Sequence, residues 1–119
     1  MKKNYSNIFT FNRKTLGKTI GFLKKSNVVG LPTETVYGLA GNAYSKSSVK
    51  KIFNLKGRPK NNPIIIHYYD FNDAKKDIEI NENFLRLYKK FCPGPITFIL
   101  KKKNYSKIHS LALAKLKTV

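Results

Sequence analysis

Three stretches of the chain carry apolar residues at helical spacing. Residues 11–25 repeat an apolar position about once per turn, with lysines between, and predict an amphipathic helix. A second helix is predicted from a cap at Ser47 or Ser48 to a stop at Gly57. A third is predicted over residues 81–91, because its apolar side chains recur at i, i+3, i+4 and i+7.

Short apolar and β-branched runs lie between these helices and predict strands. Residues 27–31 form one such run, which Pro32 ends. Residues 64–68 predict a central strand, and residues 96–100 predict another after a Pro-Gly-Pro turn. Residues 111–116 favour a short helix. Helices that alternate with apolar strands indicate an α/β fold.

The charge of the chain is strongly positive, with a formal net value of +18 over 119 residues. The positive field of such a chain attracts phosphates. If the charge serves to bind nucleic acid, it favours an RNA-binding module with a basic concave surface. However, 21 of the 24 basic residues are Lys and three are Arg, while Asn and Ile are abundant. Codon bias of an AT-rich genome is therefore the favoured explanation of the charge, with phosphate attraction as a partial contributor, and the RNA-binding module remains the alternative.

The cysteine content and the hydropathy pattern limit the class of protein. Cys92 is the single cysteine, which excludes an internal disulfide and a cysteine-built metal site. No apolar run approaches the roughly 20 residues of a membrane span, and no apolar core of a secretory signal follows the first lysines. These features predict a cytoplasmic protein without a membrane partner.

Hydroxyl groups are concentrated in the loop after the first predicted strand. In extended backbone Thr33 and Thr35 share a face, and Tyr37 adds an aromatic ring with a polar tip. Such residues form one wall of a pocket for a small polar ligand, or else a hydroxyl-stabilised turn with a buried tyrosine. His67, at the end of the predicted central strand, is open to a binding role or a structural one.

The segment KGRPKNNP, residues 56–63, combines cations with amides in a turn. Lys56 lies at a predicted helix end, and Arg58 follows in non-helical backbone. A mobile ammonium and a planar guanidinium together suit a polyphosphate. Alternatively, Lys56 complements the helix dipole, and Asn61 and Asn62 stabilise the turn.

The order of these segments closely resembles the YrdC/Sua5 family of threonylcarbamoyl-AMP synthases. The resemblance implies a twisted mixed α/β sheet with flanking helices around a positively charged cavity. It also implies formation of threonylcarbamoyl-AMP and pyrophosphate from L-threonine, bicarbonate or CO₂, and ATP, for later transfer to tRNA. The matching segments are residues 32–39, 51–53, 56–59, 62–67 and 91–97.

The resemblance also implies residue roles. Lys56 and Arg58 are implied to act in catalysis by holding the ATP phosphates, and Mg²⁺ is implied to be held mainly by those phosphates rather than by a protein metal site. The residues implied to contact or shape the L-threonine site are Thr33, Thr35, Tyr37 and His67. The residues implied to contact ATP are Lys56, Arg58, Asn62 and Thr118.

Members of the family contain further segments beyond those matched here. An arginine-containing strand and a Ser-Ala-Asn segment complete their nucleotide site. The resemblance therefore predicts that residues 1–119 are a partial YrdC-like domain, with motifs from about residue 11, truncated at the C-terminus. On this interpretation the second half of the domain is missing, and the chain has no activity by itself.

Overall fold

The structure, a computed structural model, describes residues 7–33 and 35–119. One helix is followed by two short strands and then by three further helices. The elements are α1 (Arg13–Lys24), β1 (Val29–Pro32), β2 (Tyr37–Ala40), α2 (Lys46–Lys56), α3 (Phe71–Ala74) and α4 (Glu82–Phe91).

Helix α1 confirms the first predicted helix with slightly shorter bounds. Asn12 caps it: the Asn12 side chain accepts from the Thr15 N–H at 3.0 Å, and the Thr15 hydroxyl accepts from the Asn12 N–H at 2.9 Å. This reciprocal pair satisfies donors that the first turn leaves free. No side chain of α1 is buried, so the helix is defined by its cap and periodicity rather than by the core.

Helix α2 begins earlier than predicted. A cap at Ser47 or Ser48 is wrong, because Ser45 has the extended backbone of a cap and accepts from the Ser48 N–H at 3.3 Å. Ser48 is instead fully buried, and its hydroxyl accepts from the Asn42 N–H at 2.9 Å. The predicted stop is confirmed, since Gly57 ends the helix in the left-handed conformation at φ 57°.

Strands β1 and β2 form an antiparallel hairpin that delivers the hydroxyl-rich loop. Val29 pairs with Ala40 and Pro32 with Tyr37. The first predicted strand is confirmed, although Pro32 is its last residue rather than a residue beyond it. The hairpin therefore places Thr33, Thr35 and Val36 at its tip.

The predicted strands over 64–68 and 96–100 are wrong as ladder elements, because neither joins a sheet within the described residues. The first keeps the alternation of a strand: Ile64, Ile66 and Tyr68 are half-buried, while Ile65 and His67 are exposed. A strand requires a neighbour for its backbone groups. Among the described residues the first segment makes a single backbone contact of this kind, from the Ile64 N–H to the Ala112 carbonyl at 2.8 Å. The second pairs only at its end, where Leu100 and Val119 exchange two backbone hydrogen bonds of 2.8 Å beside an isolated antiparallel bridge between Lys101 and Thr118.

The helix predicted over 111–116 is also wrong. This segment forms consecutive turns, and Ala114 and Lys115 have φ angles of 50° and 63°. Positive φ is incompatible with continuing a right-handed helix. The apolar residues of this segment reach the core from turns instead.

The buried apolar residues form two clusters. The first cluster joins α2 to the turns near residues 108–113, and residues 64–68 pack on it. The second cluster joins α3 to α4. Helix α4 itself confirms the helix predicted over residues 81–91. The first cluster contains Val49, Phe53, Ile108, Ala112 and Leu113. The second contains Ala74, Ile78 and Phe84.

Apolar side chains also remain on the surface. The radius of gyration is 16.0 Å, whereas a compact chain of this length has about 13.5 Å. Phe11, Ile65, Tyr69 and Ile99 are among the exposed apolar residues. The two clusters therefore form a small core within an elongated molecule.

Candidate functional site

A cavity of about 1420 Å³ lies between the hairpin, α2 and residues 64–69. Pockets for one small ligand usually have about 300–1,000 Å³. The cavity therefore has room for a nucleotide together with a second small molecule. We refer to it as the main cavity.

Four of the residues predicted for the site line the main cavity, and four do not. Those that line it are Thr33, Lys56, Arg58 and His67. Those outside its lining are Thr35, Tyr37, Asn62 and Thr118. Thr118 borders an adjacent cavity of about 590 Å³, which His67 also borders.

Thr33 closes the loop at the tip of the hairpin. Its hydroxyl donates to the Val36 carbonyl at 2.5 Å and accepts from the Val36 N–H at 3.2 Å. The predicted hydroxyl-stabilised turn is therefore present. The buried tyrosine of that interpretation is wrong, because Tyr37 is 83% exposed.

Arg58 holds the turn that follows α2. Its Nε donates to the Asn62 carbonyl at 3.1 Å, and its Nη2 donates to Asn62 Oδ1 at 2.9 Å and to the Pro63 carbonyl at 2.7 Å. The Nη1 group makes no hydrogen bond with the described residues. The guanidinium is thus fixed on one side, while its Nη1 protons remain available to an anion.

Lys56 supplies a second cation on the same wall. It is exposed in the last turn of α2 and lines the main cavity with Arg58. A cation there complements the negative end of the helix dipole, and its flexible stem leaves the ammonium free to follow a ligand. Lys56 and Arg58 together make this wall suitable for phosphate oxygens.

A buried carboxylate that the sequence did not indicate lies in the opposite wall. Asp77 is 2% exposed. Its Oδ2 accepts from the Tyr44 hydroxyl at 2.6 Å and the Tyr68 hydroxyl at 3.1 Å, and its Oδ1 accepts from the Ser106 hydroxyl at 2.5 Å. These partners are separated from it by 9 to 33 positions, so no local spacing reveals the cluster.

Burial and the negative charge of Asp77 raise the pKa values of both tyrosines. Burial, and then the hydrogen bond to Asp77, raises the pKa of Tyr44 from 10.0 to about 12. Burial and the charge of Asp77 raise the pKa of Tyr68 further. Both phenols are therefore neutral hydrogen-bond donors throughout the physiological range.

We expect Tyr44 to ionise late in an alkaline titration followed by tyrosinate absorbance. The folded state favours the neutral phenol, so its stabilising effect is complete below about pH 10 and is lost as the pH rises through about 12. The Tyr44→Phe variant should lack one late-titrating group. Removal of an early-titrating group by Tyr44→Phe would contradict the expectation.

The carboxylates of the main cavity are already engaged by protein groups. Asp73 accepts from Lys76 Nζ at 2.6 Å, and Asp77 is bonded to three hydroxyls. Within the described part of the chain, no three His, Cys, Asp or Glu side chains are grouped to hold a metal. None of its helices has the length and hydropathy needed to cross a membrane.

The fold and the site define a class of protein. It is an α/β protein with cations on the wall of a cavity large enough for a nucleotide. Residues 21–119 match the Sua5/YciO/YrdC family model, whose description is Telomere recombination. The chain therefore belongs to this family, and the resemblance found in the sequence is confirmed.

Several curated relatives share the name threonylcarbamoyl-AMP synthase. The Pyrococcus abyssi protein is 47% identical over 85 residues, which cover 71% of this chain and 25% of that protein. The Bacillus subtilis protein is 41% identical, with 75% and 26% covered. A putative threonylcarbamoyl-AMP synthase of Methanocaldococcus jannaschii is 36% identical, with 87% and 52% covered. The chain thus spans about a quarter to a half of these relatives' lengths.

Solved structures of P. abyssi Sua5 have the same fold. A double variant superposes with a TM-score of 0.85 at 38% identity, covering 92% of this chain and 33% of that one. A complex with L-threonine gives 0.84, with 93% and 32% covered. The predicted α/β fold is therefore confirmed, even though the predicted strands over 64–68 and 96–100 form no regular ladder among the described residues.

Proposed function

We propose that this chain supplies the ATP and L-threonine binding walls of a threonylcarbamoyl-AMP synthase. The observation that carries the proposal is that Lys56 and Arg58 both line a cavity with room for two ligands, while the Nη1 group of Arg58 makes no hydrogen bond with the described residues. Family membership and the shared name of the relatives support it.

The proposed reaction begins with the L-threonine amine, which forms a carbamate either by adding to CO₂ with loss of a proton or by condensing with bicarbonate with loss of water. A carbamate oxygen then attacks the α-phosphorus of ATP, and the bond to the pyrophosphate leaving group breaks. Lys56 and Arg58 would neutralise the charge that develops on the phosphates, while the cavity orients two anions that otherwise repel each other. These two residues are therefore the proposed catalytic cations.

The proposed L-threonine site lies beside the hairpin tip and His67. Thr33 would shape this wall through its turn, with Thr35 and Tyr37 as neighbouring contacts and His67 across the cavity. The P. abyssi complex with L-threonine supports this choice of amino acid. Asn62 would act on ATP by holding Arg58, and Thr118 would border the nucleotide from the adjacent cavity.

The residues present fit Mg²⁺ only as an ion carried by the nucleotide. Asp77 is engaged by three hydroxyls and Asp73 Oδ1 by Lys76, and the described residues contain no group of three His, Cys, Asp or Glu side chains that could hold a metal. Phosphate oxygens and waters are the usual ligands of Mg²⁺ in such sites. When bound, the ion would neutralise phosphate charge beside Lys56 and Arg58.

The proposal places the protein in the cytoplasm and makes tRNA an indirect partner. The free Cys92 agrees with a reducing compartment. The adenylate would be consumed by a group-transfer reaction that modifies tRNA. Direct RNA binding is the competing hypothesis that the net charge of +18 suggests.

Ligand binding tests the proposal better than turnover, because the chain spans only part of its relatives. In calorimetric titrations of the purified chain, we expect binding of Mg²⁺-ATP and of L-threonine, with weaker binding of L-valine, which has the same shape without the hydroxyl. Binding of neither ATP nor L-threonine would contradict the proposal. Tight RNA binding with a steep salt dependence and no ATP binding would favour the competing hypothesis.

A further inference from the structure

Asp77 connects three separate walls of the main cavity through one carboxylate. Tyr44 comes from the loop between β2 and α2, Tyr68 from the extended segment 64–69, and Ser106 from the loop after residue 103. All four residues line the cavity. The carboxylate is therefore the point where three segments that are separate in the sequence meet.

The buried charge at this point is held by neutral donors. Taking a carboxylate out of water is costly unless its lone pairs accept hydrogen bonds. Hydrogen bonds to a charged acceptor are shorter and stronger than neutral ones, and the two shortest here are 2.5 Å and 2.6 Å. Because the tyrosines stay protonated, these bonds persist across the physiological pH range.

Each connection fixes the backbone next to a side chain exposed to the cavity. Tyr68 directly follows His67, and in this extended segment Tyr68 is half-buried while His67 is exposed. Ser106 directly precedes Lys107, an exposed cation that also lines the cavity. The hydrogen bonds that hold Tyr68 and Ser106 against Asp77 therefore determine where His67 and Lys107 lie.

We propose that Asp77 is a positioning residue that sets the placement of His67 and Lys107 for ligand binding. The inference rests on the proposed function, because it assigns a role within the same cavity. Asp77 acts through Tyr68 and Ser106 and touches no ligand itself. A purely structural role would instead affect stability without a specific link to His67.

A double-mutant cycle between Tyr68 and His67 distinguishes these roles. Tyr68→Phe removes only the hydroxyl that Asp77 accepts, and we expect it to weaken L-threonine binding by roughly threefold to tenfold. In a His67→Ala background the same change should have almost no further effect, because there is no imidazole left to position. Tyr88→Phe is the matched control, since its hydroxyl makes no hydrogen bond with the described residues and Tyr88 lies outside the main cavity.

The outcomes separate the inference from the proposed function. Additive effects of Tyr68→Phe and His67→Ala overturn the inference, as does unchanged L-threonine affinity in either single variant. Asp77→Asn, which keeps the side-chain shape, should reproduce the Tyr68→Phe loss, and circular dichroism confirms that each variant is folded. Absence of L-threonine binding by the unaltered chain overturns the proposed function and the inference with it.

Discussion

Replacing Arg58 with alanine is expected to weaken ATP binding by about 10- to 100-fold, which corresponds to loss of hydrogen bonds to a charged group. The change removes the Nη1 donors that we propose bind the ATP phosphates. It also releases the turn after α2, because the contacts to Asn62 and Pro63 are lost. Calorimetric titration with Mg²⁺-ATP measures the effect.

Two further variants separate the charge of Arg58 from its hold on the turn. Arg58→Lys keeps the charge but lacks the planar fork, so we expect an intermediate affinity. Asn62→Ala removes one acceptor of the guanidinium and should cause a smaller loss. Arg86→Ala is the charge-matched control, because Arg86 is exposed on α4 and lies outside the main cavity. An equal loss in Arg86→Ala would show that general charge attraction, rather than Arg58 itself, controls ATP binding.

Helices α1, α2 and α4 were predictable because the signals that define them are local, whereas the single turn of α3 was not predicted. The periodicity of α1 and α4, and the left-handed Gly57 after α2, are all visible within a few residues. The start of α2 was predicted too late, because three serines that could each cap the helix lie within four positions. Burial of Ser48, a tertiary effect, decides that Ser45 is the cap.

The strands were only partly predictable because a strand is defined by its neighbour. The hairpin forms since β1 and β2 lie close in sequence and their loop closes through Thr33. Residues 64–68 show the expected alternation, yet alternation alone supplies no hydrogen-bonding partner. The family match explains why the overall architecture was nevertheless predictable: motif order reflects the fold of homologues rather than the pairing within this chain.

The candidate site was predictable where its residues are adjacent in sequence. Lys56 and Arg58 are two positions apart, and both line the main cavity. The role of Asn62 as a partner of Arg58 required the structure, because an amide in a turn has many equivalent partners. The Asp77 cluster was not predictable, since its members are distant in sequence and an acid within the charged stretch 70–82 suggests a solvated residue.

The core residue with the largest expected effect on the site is Phe53. It is 3% exposed and lies in the first apolar cluster, where α2 meets Leu113 and the segment that contains Ile66. Truncating a buried phenylalanine usually costs about 3–5 kcal/mol. A chain with a small core has little stability to lose, so we expect Phe53→Ala to unfold α2 and release Lys56 and Arg58 from their wall.

Hydrogen exchange of the α2 amides measures this effect, with ATP titration as the second measurement. Leu55→Ala is the matched control, because Leu55 lies on the same helix but is 67% exposed. That variant should retain amide protection, since alanine favours helix and little buried surface is removed. If Phe53→Ala keeps both the protection of α2 and the ATP affinity, the phosphate-facing wall does not depend on the first cluster. A loss of ATP affinity that follows the loss of protection would instead connect the packing of one aromatic ring to the placement of both cations.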